Sequence, residues 1–282
     1  MRNLSDTIRR IRVSAEEGHR LLVGLDFDGT LAPFVEHPHL ARMDEHVRNA
    51  VETLARDPGA RVAIVSSRGL HDLEERVGVA GVDLVASQGL ELRVDDQELT
   101  LPSFGEVDPF WSAAIQGVLV DYPGSWLEIK PAALAVHLRN LRQGSRVELE
   151  RRLRTLPGNP ARAAAKSGWM RCRQTLEWAP AGAGKERGLR ALLERWERSE
   201  YDILLYAGDD ENDAEAMREV QVLGGIALGV GGDAPPEAEF HLADIGELAT
   251  FLRLAAGGLR AHRACLRAPT VRRTEARHER PE

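Results

Sequence analysis

Asp26 and Asp28 stand two positions apart where a continuous apolar run, residues 20–26 (RLLVGLD), ends in acid. Residues two apart at a strand terminus point to the same side, so both carboxylates serve one site. Gly29 follows, allowing a sharp turn that offers backbone amides to an anion. Gly208-Asp209-Asp210-Glu211-Asn212-Asp213 comes directly after a second apolar run, residues 202–207 (DILLYA). Alone, that cluster would equally suit a solvated turn or a helix N-cap. Paired with the first, it reads as the other half of a hard-cation site, since magnesium takes few carboxylates and retains water. Ser66, in Ser66-Ser67-Arg68 at the end of a further apolar run, adds hydroxyl and backbone donors suited to a phosphate. Lys185 follows the glycine-rich residues 181–184 and is one of three lysines among 37 basic residues. In a chain so biased towards arginine, lysine marks a place for a compact point charge.

The elements that must position these residues alternate. Residues 20–26, 61–66 (RVAIVS) and 82–86 (VDLVA) read as strands buried on both faces. Between them, Met43, Val47, Val51 and Leu54 recur at helical spacing, and residues 70–77 suit a short helix. After residue 180 the pattern resumes. A helix carries Leu189, Leu192, Leu193 and Trp196 on one face; strand 202–207, a helix from about Asn212 and strand 223–228 follow. This alternation predicts an α/β fold with a Rossmann-like parallel sheet, whose active site lies beyond the carboxyl ends of the strands.

The middle of the chain has a different period. In 126–130, Leu127 and Ile129 oppose Trp126, Glu128 and Lys130; in 133–139, Leu134, Val136 and Leu138 oppose Ala135, His137 and Arg139. In 171–178, Cys172, Leu176 and Trp178 oppose Arg171, Arg173, Thr175 and Glu177, with Gln174 as the polar exception. Alternation of period two predicts strands with one wet face. Residues 145–156, with Leu149, Leu153 and Leu156, supply a helix to cover the apolar side. The expected organisation is a core from 1–103 and 181–262, an inserted α+β module at 104–180 with an open charged face, and a disordered tail at 263–282.

Composition narrows the class. The chain has 282 residues, 43% hydrophobic and 29% charged, with a net charge of −7. That charge argues against a general nucleic-acid surface. No apolar run reaches membrane-spanning length and the first residues lack a signal peptide's apolar stretch. Cys172 and Cys265 are too few for a disulfide framework. A cytoplasmic protein with neither nucleic-acid nor membrane partners is expected.

Taken in order, the aspartate motif, strand-end serine, lysine and acidic cluster resemble the four signature motifs of the haloacid dehalogenase superfamily. The resemblance implies that Asp26 attacks phosphorus and Asp28 acts as acid and base. It implies further that magnesium binds Asp26, the Asp28 carbonyl and Asp209, with Asp213 nearby or acting through water. Ser66 and Lys185 would hold the phosphoryl oxygens. Within the superfamily, residues 20–256 resemble trehalose-6-phosphate phosphatases, through Val62-Ala63-Ile64-Val65-Ser66, Leu127-Glu128-Ile129-Lys130-Pro131, Ala135-Val136-His137-Leu138-Arg139 and Thr175-Leu176-Glu177. This implies a small-molecule sugar phosphate as partner, bound by Glu128, Lys130, Arg139 and Glu177 in an inserted cap, with Arg68 also counted among the substrate-binding residues. Three positions depart from the pattern: Ser67 replaces the usual glycine, Gln88 a histidine and Asn212 a threonine. Other readings of the same motifs are a phosphatase of another sugar phosphate, such as glucosylglycerol or sucrose phosphate, a phosphomutase, or a non-catalytic sugar-phosphate sensor.

Overall fold

The computed structural model describes residues 4–35, 37–102, 109–130, 133–156, 168–171, 175–180 and 182–267. The expected cap boundary near residue 104, Lys166, the alternation at 172–174 and the tail from 268 onwards lie outside the described residues. After α1 (Leu4–Glu16), the first half of the core runs β1 (Leu21–Leu25), α2 (Glu45–Ala55), β2 (Ala60–Val65), α3 (Leu70–Val77) and β3 (Val82–Ala86). Then comes a hairpin of β4 (Glu91–Val94) and β5 (Gln97–Thr100). The inserted module holds α4 (Pro109–Leu119), β6 (Trp126–Ile129), β7 (Leu134–His137), α5 (Gln143–Thr155), β8 (Gly168–Arg171) and β9 (Thr175–Ala179). The core resumes with α6 (Lys185–Arg195), β10 (Ile203–Gly208), α7 (Ala214–Val222), β11 (Ile226–Val230), β12 (Phe240–Leu242) and α8 (Ile245–Arg267).

Eight strands form one sheet in the order β12-β11-β10-β1-β2-β3-β4-β5. It is parallel from β12 to β3, with the β4–β5 hairpin added antiparallel at one edge. Leu21 to Leu25 are buried throughout, which explains their unbroken apolar run: helices cover both faces. α1, α2 and α8 pack on one face, where Val47, Val51 and Leu54 meet Leu248, Leu252 and Leu259. α6 and α7 close the other through Leu189, Leu192 and Trp196 against Leu204 and Tyr206. Each fully buried aliphatic side chain of this kind stabilises the core by roughly 1.5–3 kcal/mol. Chain order reverses between β1 and β10, the topological switch point where α/β sheets leave a crevice beyond their carboxyl ends.

A second sheet, β6-β7-β9-β8, is wholly antiparallel and lies in sequence between β5 and α6. α4 and α5 cover its apolar side through Trp111, Ile115, Leu149 and Leu153, packed on Leu134, Val136, Leu176 and Trp178. Several expectations shift. Residues 171–178 are no single strand: Arg171 pairs with Leu176, so the chain reverses between β8 and β9. Ile129, on the apolar side by parity, ends the edge strand β6 and is 58% exposed. Residues 223–225 form the turn that closes α7 instead of opening a strand, because the Gly225 amide donates to the Val220 carbonyl at 2.8 Å. Residues 263–267, expected in the tail, belong to α8. Among the described residues no helix is long and apolar enough to cross a membrane.

Candidate active site

β1 hands its chain directly to Asp26, whose amide bonds the Ala207 carbonyl at 2.9 Å, so the β1–β10 ladder runs right up to the carboxylate. Gly29 then turns with φ +95°, and a Cβ there would come within 2.1 Å of Asp209 Oδ2. Only glycine lets the loop after β1 approach the acid after β10 this closely. Gly24 plays a steric part: its register partner is Tyr206, and a Cβ would meet that ring at 2.9 Å. The ring therefore lies across the strand, and its hydroxyl donates to Asp213 Oδ1 at 2.6 Å.

Lys185, the first residue of α6, is sealed behind the site. Its ammonium donates to Asp26 Oδ1 and Asp213 Oδ1 at 2.7 Å each, and to Asn212 Oδ1 at 3.0 Å. Burial alone would favour the neutral amine, but Asp213 and Asp26 outweigh it and hold its pKa well above the ordinary lysine value. Asp213 Oδ2 accepts the amides of Asp209 and Asp210 at 3.2 and 3.3 Å. With four donors filling its acceptor positions, Asp213 contributes charge and orientation to its neighbours. Burial and the adjacent Asp213 keep Tyr206 protonated by pushing its pKa well up.

Asp26, Asp209 and Asp213 bring carboxylate oxygens within 4.8 Å of one another. Desolvation, reinforced by mutual repulsion, raises Asp26 to about 7 and Asp209 to about 9. Lys185 opposes both shifts without cancelling them. Ionised together, the three buried acids would outweigh the one ammonium, and the acceptors they offer are all oxygens. That donor set fits a hard divalent cation, which would restore the acids to their ionised forms.

Asp28 sits at the rim, where Arg68 grips it with both arms of its guanidinium: Nε to Oδ2 at 2.6 Å and Nη2 to Oδ1 at 2.8 Å. Arg68 also donates to Asp72 Oδ2 at 2.6 Å and to the Pro38 carbonyl at 2.8 Å. Burial disfavours its charge, yet these carboxylates raise its pKa further. The fork of Arg68 thus orients Asp28. Ser66, buried at the end of β2, accepts the Arg68 amide at 3.2 Å.

The second sheet closes this crevice from above. Asp26, Asp28, Ser66, Arg68 and Asp209 from the core share one cavity with Glu128, Lys130, Arg139 and Glu177 from the inserted module. Lys185 and Asp213 lie just behind its wall. The structure therefore gathers every residue singled out from the sequence. The face expected to be open is partly covered: Lys130 and Glu177 are buried against the core and pair at 2.9 Å. His137 bonds Glu128 Oε2 at 2.9 Å and stacks on Trp126, with ring centroids 3.5 Å apart. Burial pushes Glu128 up, but His137, Lys130 and Arg68 prevail and hold it below the usual carboxylate range.

Four contributors were given no site role from the sequence, although Gln88, Asn212 and His137 stood in the stretches already quoted. Tyr206 and Asn212 fix Lys185 and its partners, His137 fixes Glu128, and Gln88 reaches Glu177. A phenol inside a buried apolar strand and a histidine on a strand's polar face were the available signals for two of them.

Comparison with known proteins places the chain in a family. The family described as trehalose-phosphatase matches residues 24–231. A bifunctional trehalose-6-phosphate synthase/phosphatase of Thermoproteus tenax is 32% identical over 252 residues, covering 87% of this chain and 33% of that protein. The chain thus spans only about a third of that relative's length. The trehalose-6-phosphate phosphatase of Escherichia coli is 24% identical over 243 residues, covering 84% of this chain and 87% of that one. Among solved structures, the C-terminal domain of C. albicans trehalose-6-phosphate phosphatase superposes with a TM-score of 0.75 at 21% identity, covering 89% and 96% of the two chains. The matched span begins in β1 and ends past β11, taking in both acidic strand ends, Lys185 and the whole inserted sheet: the chain belongs to the trehalose-phosphatase family.

Proposed function

We propose that this chain is a magnesium-dependent phosphatase that hydrolyses trehalose 6-phosphate to trehalose and phosphate. The observation that carries the reading is one cavity joining two sets of residues. A carboxylate pair with a buried lysine lies on the core side, and a polar face lies on the cap side. Asp26 is the nucleophile. Its carboxylate oxygen forms a bond to phosphorus as the bond from phosphorus to the sugar oxygen breaks, and Asp28 supplies the proton that this oxygen needs. Water then attacks the aspartyl-phosphate, Asp28 takes its proton, and cleavage of the phosphorus–carboxylate bond releases phosphate and restores Asp26.

The remaining residues hold charge in place. Lys185 and Ser66 face the phosphoryl oxygens, and Arg68 orients Asp28 beside them. Asp26, Asp209 and the Asp28 carbonyl would hold magnesium, with Asp213 near it or linked through water. When bound, that ion supplies neutralisation of the phosphate charge that otherwise repels a carboxylate. Glu128, Lys130, Arg139 and Glu177 read the sugar hydroxyls, because charged hydrogen-bonding groups left unmatched by a wrong ligand reject it strongly.

The test is phosphate release from a panel of sugar phosphates, with and without magnesium. Trehalose 6-phosphate is expected to lead, and only with the metal. Preference for glucosylglycerol phosphate or sucrose phosphate would reassign the cap. Tight binding with no release from any ester would make the protein a sensor.

A further inference from the structure

Ser87 and Gln88 are buried, non-glycine residues in the left-handed region, with φ of 50° and 56°. Side chains seldom adopt this backbone, and it persists where surrounding contacts impose it. Here they are explicit. The Ser87 amide donates to the Arg68 carbonyl at 2.6 Å, and its hydroxyl donates to Glu91. The Gln88 carbonyl accepts the amide of Gly184, the residue preceding Lys185, at 2.7 Å. The turn is bolted between the loop that carries Arg68 and the helix that carries Lys185.

The side chain of Gln88 leaves this turn for the cap. Its Nε2 donates to Glu177 Oε2 at 2.5 Å, inside the protein and across the seam between the two sheets. A carboxylate only accepts, so the amide nitrogen is the end that faces it. Lys130, from the cap itself, holds the other oxygen at 2.9 Å. Ser67 and Thr175 stand farther off, at 3.4 and 3.5 Å from that same oxygen. The two short contacts fix the carboxylate, and the two long ones mark where a sugar hydroxyl can compete.

We propose that Gln88 is a positioning residue for sugar recognition: from the core side it sets the Glu177 carboxylate, so the cap's reader is in place only when the cap is seated. The inference rests on the sugar-phosphate reading of the same cavity. Gln88→Asn suits a left-handed backbone and keeps the amide, but is one methylene too short. Gln88→Glu keeps the length and sets a second carboxylate against Glu177. Each variant is measured in the wild-type and Glu177→Ala backgrounds, on trehalose 6-phosphate and on a small aryl phosphate, with sugar-phosphate binding followed by calorimetry.

In the wild-type background, kcat/KM for the sugar ester is expected to fall about tenfold to a hundredfold, and more than for the aryl ester. In the Glu177→Ala background, the same change should add less than about twofold, because the partner is already gone. Equal loss on both esters, or full multiplicative loss without Glu177, would overturn the proposal. Coupling in binding with no turnover of any ester would keep Gln88's role and overturn the phosphatase reading. Turnover without coupling would do the reverse.

Discussion

The two sides of the cavity are built on different principles. On the core side, each reactive group stands within three residues of a strand's carboxyl end or in a helix's first turn. Asp26 follows β1, Ser66 follows β2, Asp209 follows β10 and Lys185 opens α6. Their contacts are short and sealed from solvent, and a buried lysine shared by two acids cannot move without leaving uncompensated charge. On the cap side, Glu128, Lys130, Arg139 and Glu177 come from or beside short antiparallel strands, and their partners lie partly in the other sheet. On the proposed function, chemistry is held by a rigid scaffold, while recognition depends on how two sheets meet. A cap that seats over the core can exclude water and let remote sugar contacts assist the chemical step.

The largest effects should come from the core side. Asp26→Asn removes the proposed nucleophile with little change of volume, and turnover of every ester should fall by at least about 10⁴-fold. Thermal unfolding should show the fold intact. Substantial residual activity would break the assignment of Asp26 and with it the division of labour between the two sides.

Removing magnesium comes next. A chelator should stop catalysis and magnesium should restore it, and the ion should also stabilise the fold. Between the ordinary carboxylate range near 3.8 and their folded values of about 7 and 9, Asp26 and Asp209 keep protons that the unfolded chain has lost. Their protonated forms therefore stabilise the metal-free fold fully below that range, and the contribution disappears as pH rises through the folded values. Magnesium must displace those protons, so its stabilisation should grow with pH. Melting temperatures at about pH 6 and about pH 9 check this, with a rise of about 5 °C or more expected at the higher pH. A larger rise at the lower pH would place the ion elsewhere.

Cap substitutions should cost less and cost selectively. Glu128→Ala or Glu177→Ala is expected to lower sugar-ester turnover about tenfold to a hundredfold, while a small aryl phosphate largely retains its rate. Equal loss on both esters would make the polar face structural and would erase the contrast with the core.

The smallest effect marks the far end of the sheet. Asp202 accepts from the Arg20 amide at 2.8 Å, from the Arg20 guanidinium and from the Ser199 amide, tying the starts of β1 and β10 together. Asp202→Asn should destabilise the fold by about 1.5–3 kcal/mol in a denaturant titration at neutral pH and leave kcat/KM unchanged. Burial works against the charge, but Arg20 keeps Asp202 below the ordinary carboxylate range. This stabilisation is therefore present above that range and lost as pH falls through the lowered value. A large drop in activity would show that the strand starts, and not only their ends, control the site.

What could be read from the chain alone follows the range of the forces involved. Apolar runs 20–26 and 202–207 specify buried strands through local pattern, and the acids at their ends are carried along within a residue or two. Sequence thus determined the parallel core, which polar groups stand at its strand ends and the side of the sheet on which they gather. Parity along the cap strands likewise separated Glu128, Lys130, Arg139 and Glu177 from their apolar neighbours. Where pairing reverses the chain, as between Arg171 and Leu176, local alternation continues unchanged and cannot reveal the turn. Tertiary structure alone decided which charges meet. Tyr206 reaches Asp213 only because Gly24 leaves room on the adjacent strand, and Glu177 is set by Gln88 from 89 positions away. Such contacts depend on the docking of one sheet upon another, and no local period encodes that geometry.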